Sequence, residues 1–284
     1  MKIAVIGASG FLGRKCYDSL SKENEVVGTY FGKKHNYLIE LDATKKEDVE
    51  SFLHKYKPEV VIDTVALTSS TKCEQNPDLA ESLNYLTAKN ISEISKEIGA
   101  KVFFISSSYV FDGEKGNYVE EDPANPLNVY GKTKLMAERE VLKNPKGIVL
   151  RAEIMYGYNG RAHSNGVFDQ ILSGTPIRLR EPYQIRQPLF VDDVPRIIME
   201  LTRRDATGIF HLGGLEKMFI IDFLKELEKL LRLTSIISGE GVAQGYKIKI
   251  PHNSTFNTLK ARSLGINFTS FSDGLQNIGG QLSA

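Results

Sequence analysis

Lys2-Ile-Ala-Val-Ile6-Gly7-Ala-Ser9-Gly10-Phe11-Leu12-Gly13 opens the chain with an apolar run, a glycine-rich turn and the start of an amphipathic stretch that lasts to Leu20. The run has the length of a buried strand, and the stretch after it has helical periodicity. The glycines are spaced G-x-x-G-x-x-G. Glycine permits a tight turn and lets backbone N–H groups approach a pyrophosphate at a helix N-terminus. A plain strand-to-helix turn can use the same residues. What favours a dinucleotide site is that the rest of the chain repeats the alternation. Gly7, Ser9, Gly10, Phe11, Leu12 and Gly13 are therefore the first candidate cofactor ligands.

Moving outward, Glu25 to Tyr30 and Leu38 to Leu41 read as strands, Lys45 to Tyr56 as a helix, and Pro58 to Ala66 as another buried strand. Leu67 to Gln75 reads as a polar loop. Asn76-Pro77 reads as a helix start, a capping side chain with proline at the first helical position, and Gly99 ends that helix. Lys101 to Ser106 is a further strand, and Gly147 to Arg151 another. The strands are continuously apolar, not alternating, which predicts a parallel sheet covered on both faces. The fold class is therefore α/β, a doubly wound parallel sheet of Rossmann type, with residues 1–150 as its dinucleotide-binding domain. Beyond Arg151 the regularity loosens. Residues 151–284 read as a smaller C-terminal substrate-binding lobe, with helices expected over 167–172, from Asp193 to about Arg204 and from Phe219 to Leu231, and with some segments returning to the sheet.

Ligands of such sheets bind beyond the carboxyl ends of the strands. At the end of the second strand an NAD site carries an acidic residue for the ribose 2′-hydroxyl. Here Thr29, Tyr30 and Phe31 stand there, followed by Lys33 and Lys34, with nothing acidic to repel a 2′-phosphate. That favours NADP(H) over NAD(H), with Tyr30 and Lys33 as candidate contacts. Asp42, followed by Ala43, either touches the adenine edge or caps the next helix. Ala66 ends a strand at the same crevice, and Asn84 is a polar residue inside a helix that either faces solvent or reaches the cofactor.

Two stretches carry the chemistry. Ile105-Ser-Ser-Ser-Tyr109-Val-Phe-Asp-Gly113 reads as a strand end running into a loop, and Tyr130-Gly-Lys-Thr-Lys134 as the first turn of a helix. Residues four apart on a helix share a face, so Tyr130 and Lys134 stand one above the other. A neighbouring ammonium favours the phenolate and is expected to lower the Tyr130 pKa. The pair, with a serine hydroxyl beside it, exchanges a proton with a ketone or alcohol oxygen. Lys134 and Tyr130 also reach the nicotinamide ribose. Alternation along a strand points Ser106 and Ser108 one way and Ser107 the other, and does not say which way faces the cleft. Tyr109 is either core or substrate wall, and Arg186 either grips an anionic substrate or sits at the surface. His163 and His211 have no metal-ligand spacing, so no metal is expected.

The balance of 36 Lys and Arg against 35 Asp and Glu leaves a net charge of +1, which gives no reason to expect a nucleic-acid or membrane-surface partner. Cys16 and Cys73 have no ligand spacing, and the apolar run at the N-terminus is too short for a secretory or membrane segment. A cytoplasmic compartment is expected.

Gly7-x-x-Gly10-x-x-Gly13, Ser106-Ser-Ser-Tyr-Val-Phe-Asp-Gly113 and Pro126-Leu-Asn-Val-Tyr-Gly-Lys-Thr-Lys-Leu135 together resemble the extended short-chain dehydrogenase/reductases, and within them the dTDP-4-dehydrorhamnose reductase group. The resemblance covers most of the chain. It implies Ser107, Tyr130 and Lys134 as the catalytic set, since the group has Thr or Ser at the position of Ser107. It implies reduction of a dTDP-4-keto-6-deoxy sugar with NADPH or NADH, an oxidoreductase step of dTDP-rhamnose biosynthesis. Ser108 departs from the usual Asp. Ile154 stands where bacterial members are expected to have a sugar-contacting tryptophan, which makes it a substrate-site candidate. Tyr183-Gln-Ile-Arg-Gln-Pro-Leu189 replaces a segment that usually reads Asp-Gln-x-Gly-x-Pro-Thr. These features resemble instead the regulatory β subunits of methionine adenosyltransferase. The alternative is then a catalytically silent NADP-binding subunit whose partner is a methionine adenosyltransferase. A homodimer is also compatible with either reading. An epimerase or dehydratase is disfavoured, because no second acid–base pair is apparent near Ser107.

Overall fold

A computed structural model of the chain describes residues 1–32, 34–158, 177–179, 181–231, 237–238 and 248–283. Lys33, His163 and the helix expected over 167–172 lie outside the described residues.

The first strands explain the architecture. In β1 (Lys2–Ile6) Ile3 and Val5 point to one face of the sheet, and Ala4 and Ile6 to the other. All four are buried, so a period of two brings no polar residue to either side. β4 (Val60–Asp63), β5 (Lys101–Ser107) and β6 (Gly147–Ala152) repeat the pattern. Val60, Ile62, Phe103, Ile148 and Leu150 join the first face, and Val61, Val102, Phe104 and Val149 the second. A sheet apolar on both faces requires a helical layer on each. Leu12, Cys16 and Leu20 of α1 (Phe11–Leu20), with Val194, Ile197, Ile198 and Leu201 of the helix Asp193–Arg203, cover one. α2 (Lys46–Tyr56), α5 (Thr87–Glu97) and α6 (Val129–Val141) cover the other.

With β2 (Glu25–Tyr30), β3 (Ile39–Glu40) and a last strand, Gly208–Leu212, the sheet has seven strands, all parallel. Their order is β3-β2-β1-β4-β5-β6 and then Gly208–Leu212. The chain winds outward from β1 in one direction and from β4 in the other. The switch point between those two strands is where a doubly wound sheet opens a crevice. The fold is Rossmann-like. Gly208–Leu212 pairs with β6, so a segment from the second half of the chain completes the sheet. A separate apolar cluster forms from Tyr156, Phe190, Ile220, Phe223, Leu227, Phe271 and Ile278.

The segment read as a polar loop contains a helix, α3 (Ser70–Gln75), which follows Ser69. The Ser69 hydroxyl accepts from Lys72 N at 3.3 Å. Among its residues only Cys73 is buried, so no apolar stripe announces it. Asn76 does not cap α4 (Pro77–Glu81) with its side chain, which donates back to Lys72 O at 3.3 Å. From Pro77 to Glu97 the helix is continuous but widens into a π-helical turn at Ser82–Leu86.

Gly13 is fixed by close approach. A Cβ there would stand 2.2 Å from the Gly7 carbonyl oxygen, a backbone atom that no rotamer change moves aside. Gly13→Ala is expected to destabilise the fold by about 1–3 kcal/mol, the usual range for overpacking, read as a lower thermal midpoint by calorimetry.

Candidate active site

The carboxyl ends of β1, β4, β5 and β6 open on a cleft of about 610 Å³. Gly10, Phe11 and Leu12 line it from the start of α1, and Ala66 from the loop after β4. Ser107, Tyr109, Tyr130, Lys134, Ile154 and Arg186 line it from the other side. Stretches separated by more than a hundred residues of sequence therefore meet in one cavity.

The glycine turn is held from behind by two threonines that the sequence reading did not take as site candidates. Thr29 Oγ1 accepts from Gly7 N at 3.1 Å, and Thr64 Oγ1 lies 2.9 Å from Ile6 O and 3.1 Å from Gly7 O. In α1 the first intrahelical bond is Arg14 N to Gly10 O, so the amides before it have no partner within the helix. The first turn has no acidic side chain and no side-chain cap. A helix start of this kind, facing a cleft, fits the negative charge of a dinucleotide pyrophosphate.

The remaining cofactor candidates are placed differently. Tyr30 is buried at the end of β2, paired in register with Glu40. Burial and the Glu40 carboxylate, which its hydroxyl meets, push its pKa up. An acidic side chain thus stands beside Tyr30 after all, brought by β3 and not by the end of β2. Asp42 accepts from Thr44 N at 3.1 Å and Thr44 Oγ1 at 2.6 Å, a local turn. Ala43 is buried, and its carbonyl accepts from Asn90 Nδ2 at 3.2 Å. Asn84 neither faces solvent nor lines the cleft. It is fully buried, accepts from Leu67 N at 2.7 Å and donates to Thr133 Oγ1 at 3.1 Å. It ties the loop after β4 to α6. Ser9 is exposed on the turn.

α6 carries the phenol. Asn128 caps it, its Oδ1 accepting from Gly131 N at 2.9 Å. A Cβ at Gly131 would come within 2.1 Å of Tyr109 O, so glycine lets the first turn approach the strand end that bears Ser107. The Ser107 side chain stands next to the Tyr130 hydroxyl, close enough to favour its ionised form. Ser107 Oγ also accepts from Tyr109 N at 3.2 Å. Ser106 is committed elsewhere, donating to Glu138 Oε1 at 2.5 Å. The Tyr109 and Tyr130 rings meet edge to face, 5.7 Å apart.

The expectation that Lys134 lowers the Tyr130 pKa is not met. Burial pushes the phenol up to about 12, against the opposing pull of the Ser107 side chain. The reason is where the ammonium points. Lys134 Nζ lies 3.9 Å from the centroid of the Phe104 ring, on the sheet and toward Asp63. Burial pushes Lys134 down to about 8, while the Asp63 and Glu138 carboxylates favour its charged form. Asp63 is itself raised to about 6, by burial against the pull of Lys134 and the Val65 N–H. Among the described residues nothing hydrogen-bonds its Oδ2.

Asp63→Asn is expected to take Lys134 below its value of about 8, because it deletes a carboxylate that favours the ammonium. NMR titration of labelled lysine side chains reads the shift. The wild-type linkage has a definite sign. With a folded pKa of about 8 against the ordinary 10.5, the unfolded chain binds more protons between those values. The Lys134 contribution to stability therefore rises with pH across that window.

Among the described residues no group of three or more His, Cys, Asp or Glu is placed to hold a metal ion, and no helix is long and apolar enough to cross a membrane.

The family description "RmlD substrate binding domain" matches residues 1–283. The chain belongs to that family. This RmlD-family chain is 35% identical over 228 residues to methionine adenosyltransferase 2 subunit beta of Xenopus tropicalis, covering 75% of its own length and 67% of that protein. It is 28% identical to a dTDP-4-dehydrorhamnose reductase from Clostridium acetobutylicum, with a TM-score of 0.86 and 100% of each chain covered. A dTDP-4-dehydrorhamnose reductase from Bacillus anthracis in complex with NADP gives the same TM-score at 24% identity, over 99% of each chain, a likeness of fold.

Proposed function

We propose that the protein is an NAD(P)H-dependent reductase of a dTDP-4-keto-6-deoxy sugar, with Tyr130 as proton donor, Ser107 as the hydroxyl that orients the carbonyl, and Lys134 as the charge behind them. The observation that carries this reading is that Ser107, Tyr130 and Lys134 line one cleft together with Gly10, Phe11 and Leu12 at the start of α1. A phenol at about 12 is fully protonated at neutral pH and ready to donate. The cofactor supplies hydride to the carbonyl carbon. Tyr130 supplies the proton to the oxygen, and Ser107 fixes that oxygen within reach. Gly10, Phe11, Leu12 and Ala66 are the proposed cofactor wall, and Tyr109, Ile154 and Arg186 the proposed substrate wall contributed in part by a lobe of residues 151–284.

For the cofactor the proposal is NADP(H) over NAD(H). Arg14 on α1 reaches Tyr37 ahead of β3, and Lys34 is exposed nearby in sequence. Glu40 is engaged with the Tyr30 hydroxyl and is the one observation that pulls the other way. The test is absorbance at the nicotinamide band with NADPH and NADH, each against a panel of nucleotide-linked keto sugars. Failure to turn over any of them removes the reading.

A second reading has its own support. The relatives named methionine adenosyltransferase 2 subunit beta reach 35% identity. Under it the chain binds the dinucleotide and associates with a methionine adenosyltransferase without turning over a sugar. Size-exclusion chromatography of the two proteins together decides it, and separate elution would exclude it.

A further inference from the structure

Glu153 is a carboxylate in the cleft that the proposed proton transfer does not use. It follows directly on β6 and is buried together with Arg186. Its Oε1 lies 3.7 Å from Arg186 Nη1 and accepts from Ser254 Oγ, and its Oε2 accepts from Ile154 N at 2.9 Å. Arg186 is equally committed. Nη1 donates to Ser254 Oγ at 2.5 Å, and Nη2 donates to Tyr109 Oη at 3.1 Å and to Gln184 Oε1 at 2.9 Å. Burial opposes the guanidinium charge, but Tyr109 and Glu153 hold its pKa above the ordinary value. Arg186 therefore keeps its charge out of water, 3.7 Å from the Glu153 carboxylate. A buried ion pair of this kind seldom stabilises a fold more than apolar residues of the same size would. Its place in the wall beside Ser107 and Tyr130 points to recognition.

We infer that Glu153 and Arg186 are the specificity-determining pair for the sugar ring, forming a charge-compensated wall that admits a neutral, hydroxyl-bearing ring and rejects one carrying a carboxylate. This rests on the reading of the cleft as a nucleotide-sugar site. A ring carboxylate brought against the wall meets the fixed charge of Glu153 in a water-poor site, where like charges repel strongly. Arg186 does not offset that, because its cleft-side donors already serve Ser254, Tyr109 and Gln184. Hydroxyls have no such conflict, since they hydrogen-bond to carboxylate and amide oxygens alike. Neutralising Glu153 reverses the situation. Arg186 then becomes a buried cation without a counter-charge, and an anionic ring is the partner that relieves it. Discrimination here comes from the repulsive element as much as from the attractive ones.

The test is calorimetric titration of the full chain, with NADP⁺ present, using dTDP-glucose and dTDP-glucuronate, which differ only at the sugar C6. The wild-type protein is expected to bind the neutral sugar at least about tenfold more tightly. Glu153→Gln, nearly isosteric, is expected to shift that ratio by about tenfold or more toward the uronate. The double variant Glu153→Gln/Arg186→Gln leaves no buried charge unpaired, so it keeps the test open if the single variant folds poorly. Its ratio is expected to lie within about threefold of unity. A merely structural role would weaken both sugars together and leave the ratio where it was. Equal wild-type affinities, binding of neither sugar, or an unchanged ratio in both variants would overturn the inference. Keto-sugar turnover measured in parallel separates the two claims. Selective binding without turnover defeats the reductase reading alone, and turnover with an unmoved ratio defeats this inference alone.

Discussion

Tyr130→Phe is expected to lower the rate of keto-sugar reduction by about 10²–10⁴-fold, the range that a positioned general acid contributes, while the protein still binds the dinucleotide. The substitution removes one oxygen from a half-buried ring that keeps its edge-to-face contact with Tyr109. The helix start around it depends on the Asn128 cap and on Gly131, neither of which involves the phenol. Ser107 keeps its hydrogen bond from the Tyr109 N–H. The fold should therefore survive, and the loss should appear in kcat. Single-turnover measurement with bound dinucleotide separates the chemical step from binding. An activity within a few-fold of wild type would exclude Tyr130 as the proton donor and leave the site to another acid. The high phenol pKa sharpens the expectation. With the hydroxyl protonated throughout the neutral range, the wild-type rate should not rise with pH between 6 and 8, as it would if a phenolate were required.

The fold was legible because its signals are local. The continuous apolar run of β1, the glycines of the turn and the four-residue spacing of Tyr130 and Lys134 are each contained in a few residues. The site was legible only where its parts also lie in such motifs, as Ser107, Tyr130 and Lys134 do. Strand alternation could not tell which serine faces the cleft, and only the resemblance selected Ser107. In the structure all three serines line the cleft, and Ser106 is held by Glu138 on α6. Groups that depend on distant partners stayed hidden. Glu153 is paired by Ser254, 101 residues away, and nothing near either of them in sequence announces the contact. Glu40 reaches Tyr30 because β3 adds parallel to β2, which is a fact of register. The tilt of Lys134 toward Phe104 and Asp63 is likewise tertiary. Helical spacing put it on the same face as Tyr130, but the side chain runs on to the sheet. Asn84 read as ambiguous because a polar residue in a helix has no periodic signature. The π-helical turn around it is where the helix departs from regular geometry.

Glu138→Ala is expected to destabilise the protein by about 3–5 kcal/mol, because it strands a buried charge. At this chain length that corresponds to a fall in thermal midpoint of about 10 °C. Glu138 and Arg151 are both buried, and the guanidinium grips the carboxylate with Nε at 3.0 Å from Oε1 and Nη2 at 2.8 Å from Oε2. On its other side Arg151 Nη1 donates to the Glu120 carbonyl at 3.4 Å. Its Nη1 faces His211 Nε2 at 3.3 Å, and burial and the Arg151 charge push His211 down to about 3. The ring is therefore neutral, with Nδ1 donating to Tyr118 O and Nε2 accepting from Arg151. Removing the arginine as well should recover much of the loss, so Glu138→Ala/Arg151→Met is expected to be more stable than Glu138→Ala alone. A single-variant cost below about 1 kcal/mol, as for a surface pair, would show that water reaches Arg151. The same carboxylate also links stability to the site. It holds Ser106, the neighbour of Ser107, and it lies one helical turn from Lys134, whose ammonium it favours. Glu138→Gln keeps a hydrogen-bond acceptor for Ser106 but loses the charge. It should therefore lower the Lys134 pKa nearly as far as Glu138→Ala does while disturbing the serine strand end less. If the pH profile of reduction follows the charge and the midpoint rate follows the Ser106 contact, the two variants will separate the electrostatic role of Glu138 from its positional one.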